Sequence, residues 1–336
     1  MKPPAVSLRA PRLLGPVLGF GALALAVGWV GYKAFGDGFA AAGNVPTFIV
    51  VTLNGLTLAG LYFITAAGFT LIFGLMRIVN MAHGSLYLLG GYVAWSLTAN
   101  HGMGFWPATI VAVLAGSAAG LAMQQLFLRW NFGQDLRQAL ITVAISIVLA
   151  DQMLVHFGGI AQTIAPPSWL ANSVQLHVYR LEYPAFRLFV FGASVAVGLG
   201  LWAMIKQTRF GMVIRAGVDD RSMTSALGIN VQLVFAAAFV IGAALASLGG
   251  VFGGTMLSLA PGADSDFLLS SLVVVIIGGL GSLGGAALGA LLLGLVNQLS
   301  SVYMPASYTS YSSLLTFALL IVVLAIRPSG FFGRTA

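Results

Sequence analysis

The side chains able to do chemistry in this 336-residue chain are few: eight Asp and Glu, fifteen Lys and Arg, four His and no Cys. Without cysteine there is no disulfide, no thiolate metal site and no sulfur nucleophile. His83, His101, His156 and His177 do not fall at metal-ligand spacings, and no H-E-x-x-H occurs. The chain has no G-x-x-x-x-G-K-[ST] to cradle a nucleotide's phosphates and no G-x-S-x-G elbow. One acid stands out. Asp151 lies inside LITVAISIVLADQMLVHFGG, beside Gln152 and five residues before His156. An ionisable group at membrane depth is costly and faces a bundle interior or a watery cavity. Asp151 is therefore a candidate for a solute pathway; the alternative is a solvated interfacial position paired with His156.

Three other polar groups interrupt apolar runs. Asn80 and His83, in IVNMAHGSLY, either cap a helix starting near Gly84 or form part of an inner gate, since Asn commonly accepts free N–H groups at helix starts. Asp264 and Asp266 sit in PGADSDFLLSS, where Asp266 is expected to N-cap a short helix beginning at Phe267. The most charged stretch reads RFGMVIRAGVDDRSMTSALGINVQ. In it Arg215, Asp219, Asp220 and Arg221 flank Ala226 and Gly228, and Asn230 precedes the next apolar run. A short helix is expected from Met223 to Leu227, with Gly228 as its C-terminal cap. It is either a docking element for a soluble partner or an ordinary solvated loop.

The elements that must position these groups follow from composition. Charged residues make up 7% of the chain, hydrophobic residues 59%, and there are 43 glycines; mean hydropathy is +0.98. Soluble domains carry about 25% charge. The chain is expected to be an all-α, polytopic transmembrane bundle, a single domain over 1–336. The net charge of +7 comes without any basic cluster interleaved with aromatics, so nucleic acid is excluded as a partner and membrane lipid is not. Candidate spans lie near 13–31, 46–76, 85–99, 106–128, 138–157, 186–205, 232–254, 267–280, 283–300 and 312–326, giving eight to ten crossings. The second is too long for one straight span and carries Asn54-Gly55, where it can begin as a break or re-entrant turn. Segments 85–99 and 267–280 are short for a full crossing. No convincing internal repeat is visible.

With all ten crossing and the N-terminus inside, twelve Lys and Arg fall inside and only Lys33, Arg180 and Arg187 outside. Both termini are thus expected to be cytoplasmic. The first apolar run, Leu13 to about Val30, exceeds the usual signal-peptide core and is read as a retained helix. An external loop over 158–185, with Pro166-Pro167 and Trp169, is expected to form a small cap, and 206–231 a cytoplasmic loop. Gly281, Gly285 and Gly289 recur every four residues in GGLGSLGGAALGALLLG, a pattern that lets helices approach closely. Gly249, Gly250, Gly253 and Gly254 end another span similarly.

These blocks carry a resemblance. NGLTLAGLYFITAAGFTLIFGLMRIVNMAHGSLYLLGGYVA resembles the early block of branched-chain amino-acid ABC transporter permeases. Arg209, Gly211, Ile214, Arg215 and Ala216, then Ala226, Gly228, Ile229 and Asn230, are similar to that family's inner loop, and VVVIIGGLGSLGGAALGALLLG to its glycine-rich segment. The resemblance spans most of residues 50–300. It implies a type II-like permease subunit of an importer in the bacterial inner membrane, which is not itself an enzyme. The implied partners are a second, homologous permease, two cytoplasmic ATPase subunits that hold ATP and magnesium, and a periplasmic binding protein; no cofactor belongs to this chain. Arg215, Ala216, Asp219, Asp220, Ala226 and Gly228 would then lie on the helix that docks against the ATPases. Branched-chain amino acids, other amino acids, urea or amides, and aromatic acids all remain open as solutes. A self-sufficient channel or secondary transporter is the alternative from another class.

Overall fold

The computed structural model of the chain describes residues 44–76, 79–131, 133–176, 180–219, 221–303 and 312–333. The first expected span, 13–31, and Asp220 lie outside the described residues. Eleven α-helices are present among the described residues: α1 (Asn44–Met76), α2 (His83–Ala99), α3 (Phe105–Met123), α4 (Asp135–Phe157), α5 (Ala185–Gln207), α6 (Arg209–Asp219), α7 (Arg221–Ala226), α8 (Val231–Met256), α9 (Ala263–Gly278), α10 (Leu283–Tyr303) and α11 (Ser312–Ile326). A π-turn and a 3-10 turn extend α3 through Asn131. The only sheet among them is a hairpin of β1 (Ser173–Leu176) and β2 (Leu181–Pro184), so the all-α membrane class holds. Six of these elements, α1, the extended α3, α4, α5, α8 and α10, are long and apolar enough to cross a bilayer.

Burial sorts the helices into layers. In its most apolar stretch α1 is 83% buried, against 17% for α5 and 11% for α4. The centre is therefore α1, and α4 and α5 turn Ile147, Val148, Val155, Leu199 and Trp202 outward, as lipid-facing helices do. Small residues let α1 hold that place. Where α8 crosses it, a Cβ on Gly68 would fall 2.6 Å from the Gly242 carbonyl oxygen. Where α10 runs beside it, a Cβ on Gly294 would fall 2.6 Å from the backbone nitrogen of Ala59. With no hydrophobic drive between helices in lipid, such backbone-to-backbone contact is the main source of packing energy.

Three expectations need correcting here. α1 runs without a break through Asn54-Gly55, where Gly55 packs against Leu295 of α10 and the Asn54 side-chain oxygen accepts two hydrogen bonds. Gly281 does pack, but against Gly74 of α1 and not on the helix face that carries Gly285 and Gly289. It lies before α10 with φ +80°, in a turn that also needs Gly279 at φ +98°, while Gly285 and Gly289 do meet the backbone of α9 at Gly278 and Val274. Asp266 is not an N-cap: α9 begins at Ala263 behind Gly262, whose φ of +93° a side chain would strain, and Asp264 and Asp266 fall in its first turn.

The short helices α2 and α9 begin inside the bundle. His83, the first residue of α2, hydrogen-bonds the carbonyl of Thr65, far from the end of α1. Thr65 and Met76 are separated by about 16 Å of helix, and the six residues 77–82 can span about 20 Å. α2 thus starts level with Thr65, inside the bundle, and not at the level where α1 ends. Non-helical backbone at that depth must be enclosed by protein, and Asn80 and Ala82 are fully buried. The same plan recurs in reverse. α8 runs antiparallel to α1, Gly249 facing Thr65 and Gly242 facing Gly68. A six-residue linker follows it, and then α9. α2 opens HGSLYLL and α9 opens ADSDFLL, and equivalent residues meet: Gly84 lies against the Asp264 backbone, and Tyr87 stacks on Phe267 at 4.0 Å. This inverted repeat was not visible in the sequence, where two seven-residue stretches share only a serine, an aromatic and a Leu-Leu.

Candidate functional site

The junction of α1, α2, α8 and α9 is polar for its depth. His83 Nε2 donates to the Thr65 carbonyl at 2.9 Å, which places the ring proton on Nε2. Ser271 of α9 donates to the Thr65 hydroxyl at 3.3 Å, and Ser247 of α8 to the Leu86 carbonyl at 3.1 Å. Ser85 of α2 meets the Ser146 hydroxyl of α4 at 2.8 Å, and the Met81 amide donates to Thr142. These bonds tie the lightly buried α4 to the centre. Three buried groups stay without a hydrogen-bond partner: Asn80 Nδ2, His83 Nδ1 and the Tyr87 hydroxyl. Asn80 Oδ1 accepts from the Ala82 amide at 3.1 Å, a turn that leads into α2 rather than a cap on its first-turn amides.

Above this junction a cavity of about 320 Å³ opens between α2, α4 and the start of α9. Leu88, Tyr92, Asp151, Met153, Leu154 and Asp264 help to line it. The structure brings Asp151 to the cavity mouth, exposed, and no ion pair joins it to His156, which is exposed on the same helix. Asp264, which sequence reasoning passed over as a helix-start residue, is 6% exposed and faces the same space. The turn signal PGADSD drew attention to Asp266 instead. Asn80 and His83 lie in the junction below and do not line the cavity.

A second polar cluster closes the hairpin end of the bundle. Arg187 of α5 donates to Asn54 Oδ1 at 2.7 Å, the Tyr183 hydroxyl of β2 donates to the same oxygen at 2.9 Å, and Thr57 lies 3.1 Å from that hydroxyl. The 158–170 stretch is held down as well, by Gln162 pairing with Leu259 and by the Ile164 amide on the Gly254 carbonyl. Sequence reasoning missed this latch; its one signal was an Arg beside an apolar run facing an Asn-Gly.

The opposite end carries α6 and α7. Helix α6 was not expected. Thr208 caps it, its hydroxyl accepting the Gly211 amide at 3.1 Å. Gly211 fits against the Ile205 carbonyl, where a Cβ would collide. The Arg215 guanidinium donates to that same carbonyl, one of the last in α5 and otherwise unpaired. Ile214 is buried with Leu75, Met76 and Phe235, anchoring α6 beneath α1 and α8. Ala216 is exposed. Helix α7 ends in a turn at Leu227 and Gly228, the latter with φ +81°, and Asn230 caps α8 through the Leu233 amide at 3.2 Å. Ala226 and Gly228 are exposed, and so are the large side chains of Met212, Met223 and Leu227. Asp219 closes α6.

Residues 51–324 match the family described as branched-chain amino acid transport system, permease component. The chain is 31% identical to a high-affinity branched-chain amino acid transport system permease protein, LivH, of Salmonella typhimurium, over 85% of this chain and 96% of that protein. It is 30% identical to the permease protein BraD of Pseudomonas aeruginosa, over 84% and 94%. To the Escherichia coli permease protein LivM, of a system with the same description, it is 26% identical over 84% of this chain and 70% of that protein.

Proposed function

Because this chain belongs to the branched-chain amino acid transport permease family, we propose that it is one of two unlike permease chains of an ABC importer. It lies in a bacterial inner membrane with the hairpin end outside and the α6–α7 end in the cytoplasm. The second chain is of the LivM type, since relatives of both kinds carry the same system description and this one is more similar to the LivH kind. Two ATPase subunits hold ATP and magnesium, a binding protein delivers a branched-chain or related amino acid, and this chain carries no cofactor and catalyses no reaction.

The observation that carries this reading is the α6–α7 ledge. Met212 is exposed on α6, which the bundle holds by Ile214 and Arg215, and Leu227 is exposed in the turn that ends α7. Exposed apolar side chains on a rigid, amphipathic ledge need a partner. An ATPase surface seated on them would push through Arg215 on the end of α5 and through Ile214 on α1 and α8. The glycine contacts let those helices shift as rigid bodies. At the junction, Asn80 and His83 act as the gate, because their unpaired nitrogens have hydrogen bonds to gain when α1, α2 and α9 repack.

The test is affinity purification of the tagged chain from native membranes, with Met212→Ser/Leu227→Ser beside it. Two ATPases and a second permease should accompany the unaltered chain, and the ATPases should fall away from the double variant while membrane insertion persists. A lone chain that still moves solute would overturn the reading in favour of a self-sufficient carrier, for which inverted repeats are common.

A further inference from the structure

The turn between α3 and α4 presents two cations without an acid. Arg129 and Arg137 are exposed, and among the described residues neither forms an ion pair, although Asp135 lies between them in the chain. Arg129 donates to Gln125 Oε1 at 3.0 Å and Arg137 to Asn131 Oδ1 at 3.3 Å. Most of the N–H groups of each guanidinium therefore meet no protein acceptor among the described residues. Asn131 is held in turn by its own side-chain amide, which donates to the Phe127 carbonyl at 2.7 Å, so Arg137 is fixed beside the end of α3. The Arg129 guanidinium lies 4.3 Å over the ring of Trp130, a cation–π contact, and that ring is itself exposed. The π-turn over Gln124–Leu128 sets up this surface: Leu128 is buried with Ile214 of α6 and Phe235 of α8, while Leu126 and Phe127 face outward. The turn thus sits at the α6–α7 end of the bundle.

Depth and shape say what covers it. Trp106 and Trp130 stand about 36 Å apart along the extended α3. A bilayer is about 30 Å thick in its hydrocarbon core and about 40–45 Å with its headgroups. The two rings therefore lie in opposite headgroup layers, as interfacial Trp does, and Arg129 is at the depth of lipid phosphates. From Arg137 an exposed apolar stripe of Leu136, Leu140, Ile147, Val148 and Val155 runs along α4 for about 28 Å. A soluble protein could reach the turn but not that stripe, whereas an acyl chain follows it.

We propose that the α3–α4 turn is a binding site for an anionic phospholipid, its phosphate held by Arg129 and Arg137, its headgroup against Trp130 and its acyl chains along the α4 stripe. Guanidinium is weakly hydrated, and its planar fork suits a phosphate. An anionic lipid offers an uncompensated negative charge to the pair, whereas a zwitterionic one brings its own cation beside two others. Basic pockets at the cytoplasmic end of membrane helices hold anionic headgroups in this way. The leaflet, though not the chemistry, rests on the orientation proposed above. Bound there, the lipid bridges α4 to α3 beside two hydrogen bonds, from Arg137 to Asn131 and from the Gln138 side chain to the Leu128 carbonyl. It thereby steadies α4, the least buried of the candidate spans.

The test takes the tagged chain with whatever accompanies it from the membrane, so its outcome does not depend on the importer reading. Native mass spectrometry from mixed micelles should show phosphatidylglycerol retained in preference to phosphatidylethanolamine and phosphatidylcholine. Added phosphatidylglycerol should raise the melting temperature in detergent, and phosphatidylcholine should not. Arg129→Gln/Arg137→Gln, at two exposed positions, should weaken retention by about tenfold or more and abolish the thermal gain. Arg129→Lys/Arg137→Lys, which keeps both charges, should retain the preference, separating lost charge from lost folding. Arg180→Gln, which removes an exposed charge at the hairpin end, should change neither readout. Glycerol phosphate, a headgroup without acyl chains, should not displace the lipid. Equal retention of the three lipids, retention unmoved by the Gln variant, or displacement by glycerol phosphate would each overturn the assignment. So would loss of accompanying subunits from the Gln variant with lipid retention intact, which would give the surface to a soluble partner.

Discussion

Asn54 shows how one side chain can fix an architecture. It has a single acceptor oxygen, and a guanidinium and a phenol both donate to it, from α5 and from the hairpin. Replacing it with Ala leaves Arg187 and Tyr183 unpaired beside an apolar bundle, where an unmet donor costs about 1–3 kcal/mol, more for a charged one. Asn54→Ala should therefore lower the melting temperature in detergent, and Asn54→Asp, which keeps the acceptor, should restore it. Equal melting of both variants would show that the latch contributes nothing. Asn54 was legible in the sequence as part of an Asn-Gly pair, but its partners were not: they are 129 and 133 residues away. Asp151 was legible because an acid interrupts an apolar run. Asp264 was not, because an acid at the start of a helix has an ordinary explanation.

At the scale of the element, glycine decides which helices can touch. Gly68 and Gly192 look alike in sequence, each within a long apolar helix. A Cβ on Gly68 would press on the Gly242 carbonyl, whereas nothing lies within 4 Å of one on Gly192. Overpacking costs about 1–3 kcal/mol, and Ala in place of Gly stabilises a helix interior by about 0.5–1 kcal/mol. Gly68→Ala should destabilise the chain, and Gly192→Ala should leave it equal or firmer, by chemical denaturation in lipid. The reverse order would refute the central crossing of α1 and α8. Helix ends were read well where the signal was local: the C-cap at Gly228 and the boundaries of α5, α8 and α10 fall within a few residues of expectation. Helix α6 was missed because its pattern mixes charge with Gly and Val, and its cap, Thr208, looks like any loop residue. Arg215 acquires a structural duty there, on the last turn of α5. Arg215→Ala should thus lower uptake more than ATPase binding; equal losses in a pull-down and an uptake assay would refute that duty.

The whole molecule has two ends, and their sidedness can be measured directly. The natural chain has no cysteine, so single replacements report without background. Val174→Cys on the exposed hairpin should react with a membrane-impermeant maleimide on intact cells. Met212→Cys on the ledge should react only after permeabilisation. The opposite pattern would invert the bundle and remove α6 and α7 from any contact with cytoplasmic ATPases.

By itself the sequence determined that this chain lives in a membrane, roughly where its helices lie and which family it belongs to. Those follow from composition, from apolar runs and from local motifs, and each is a property of contiguous residues. Only the tertiary structure decided that α2 and α9 start inside the bundle as an inverted pair, and that Asp151 and Asp264 face one cavity. Likewise, only the fold decided that Gly281 both turns the chain and packs on Gly74 of α1. The physical reason is that a span's length says nothing about its depth. Depth is fixed by contacts such as His83 with Thr65 and Gly84 with Asp264, made between residues far apart in the chain.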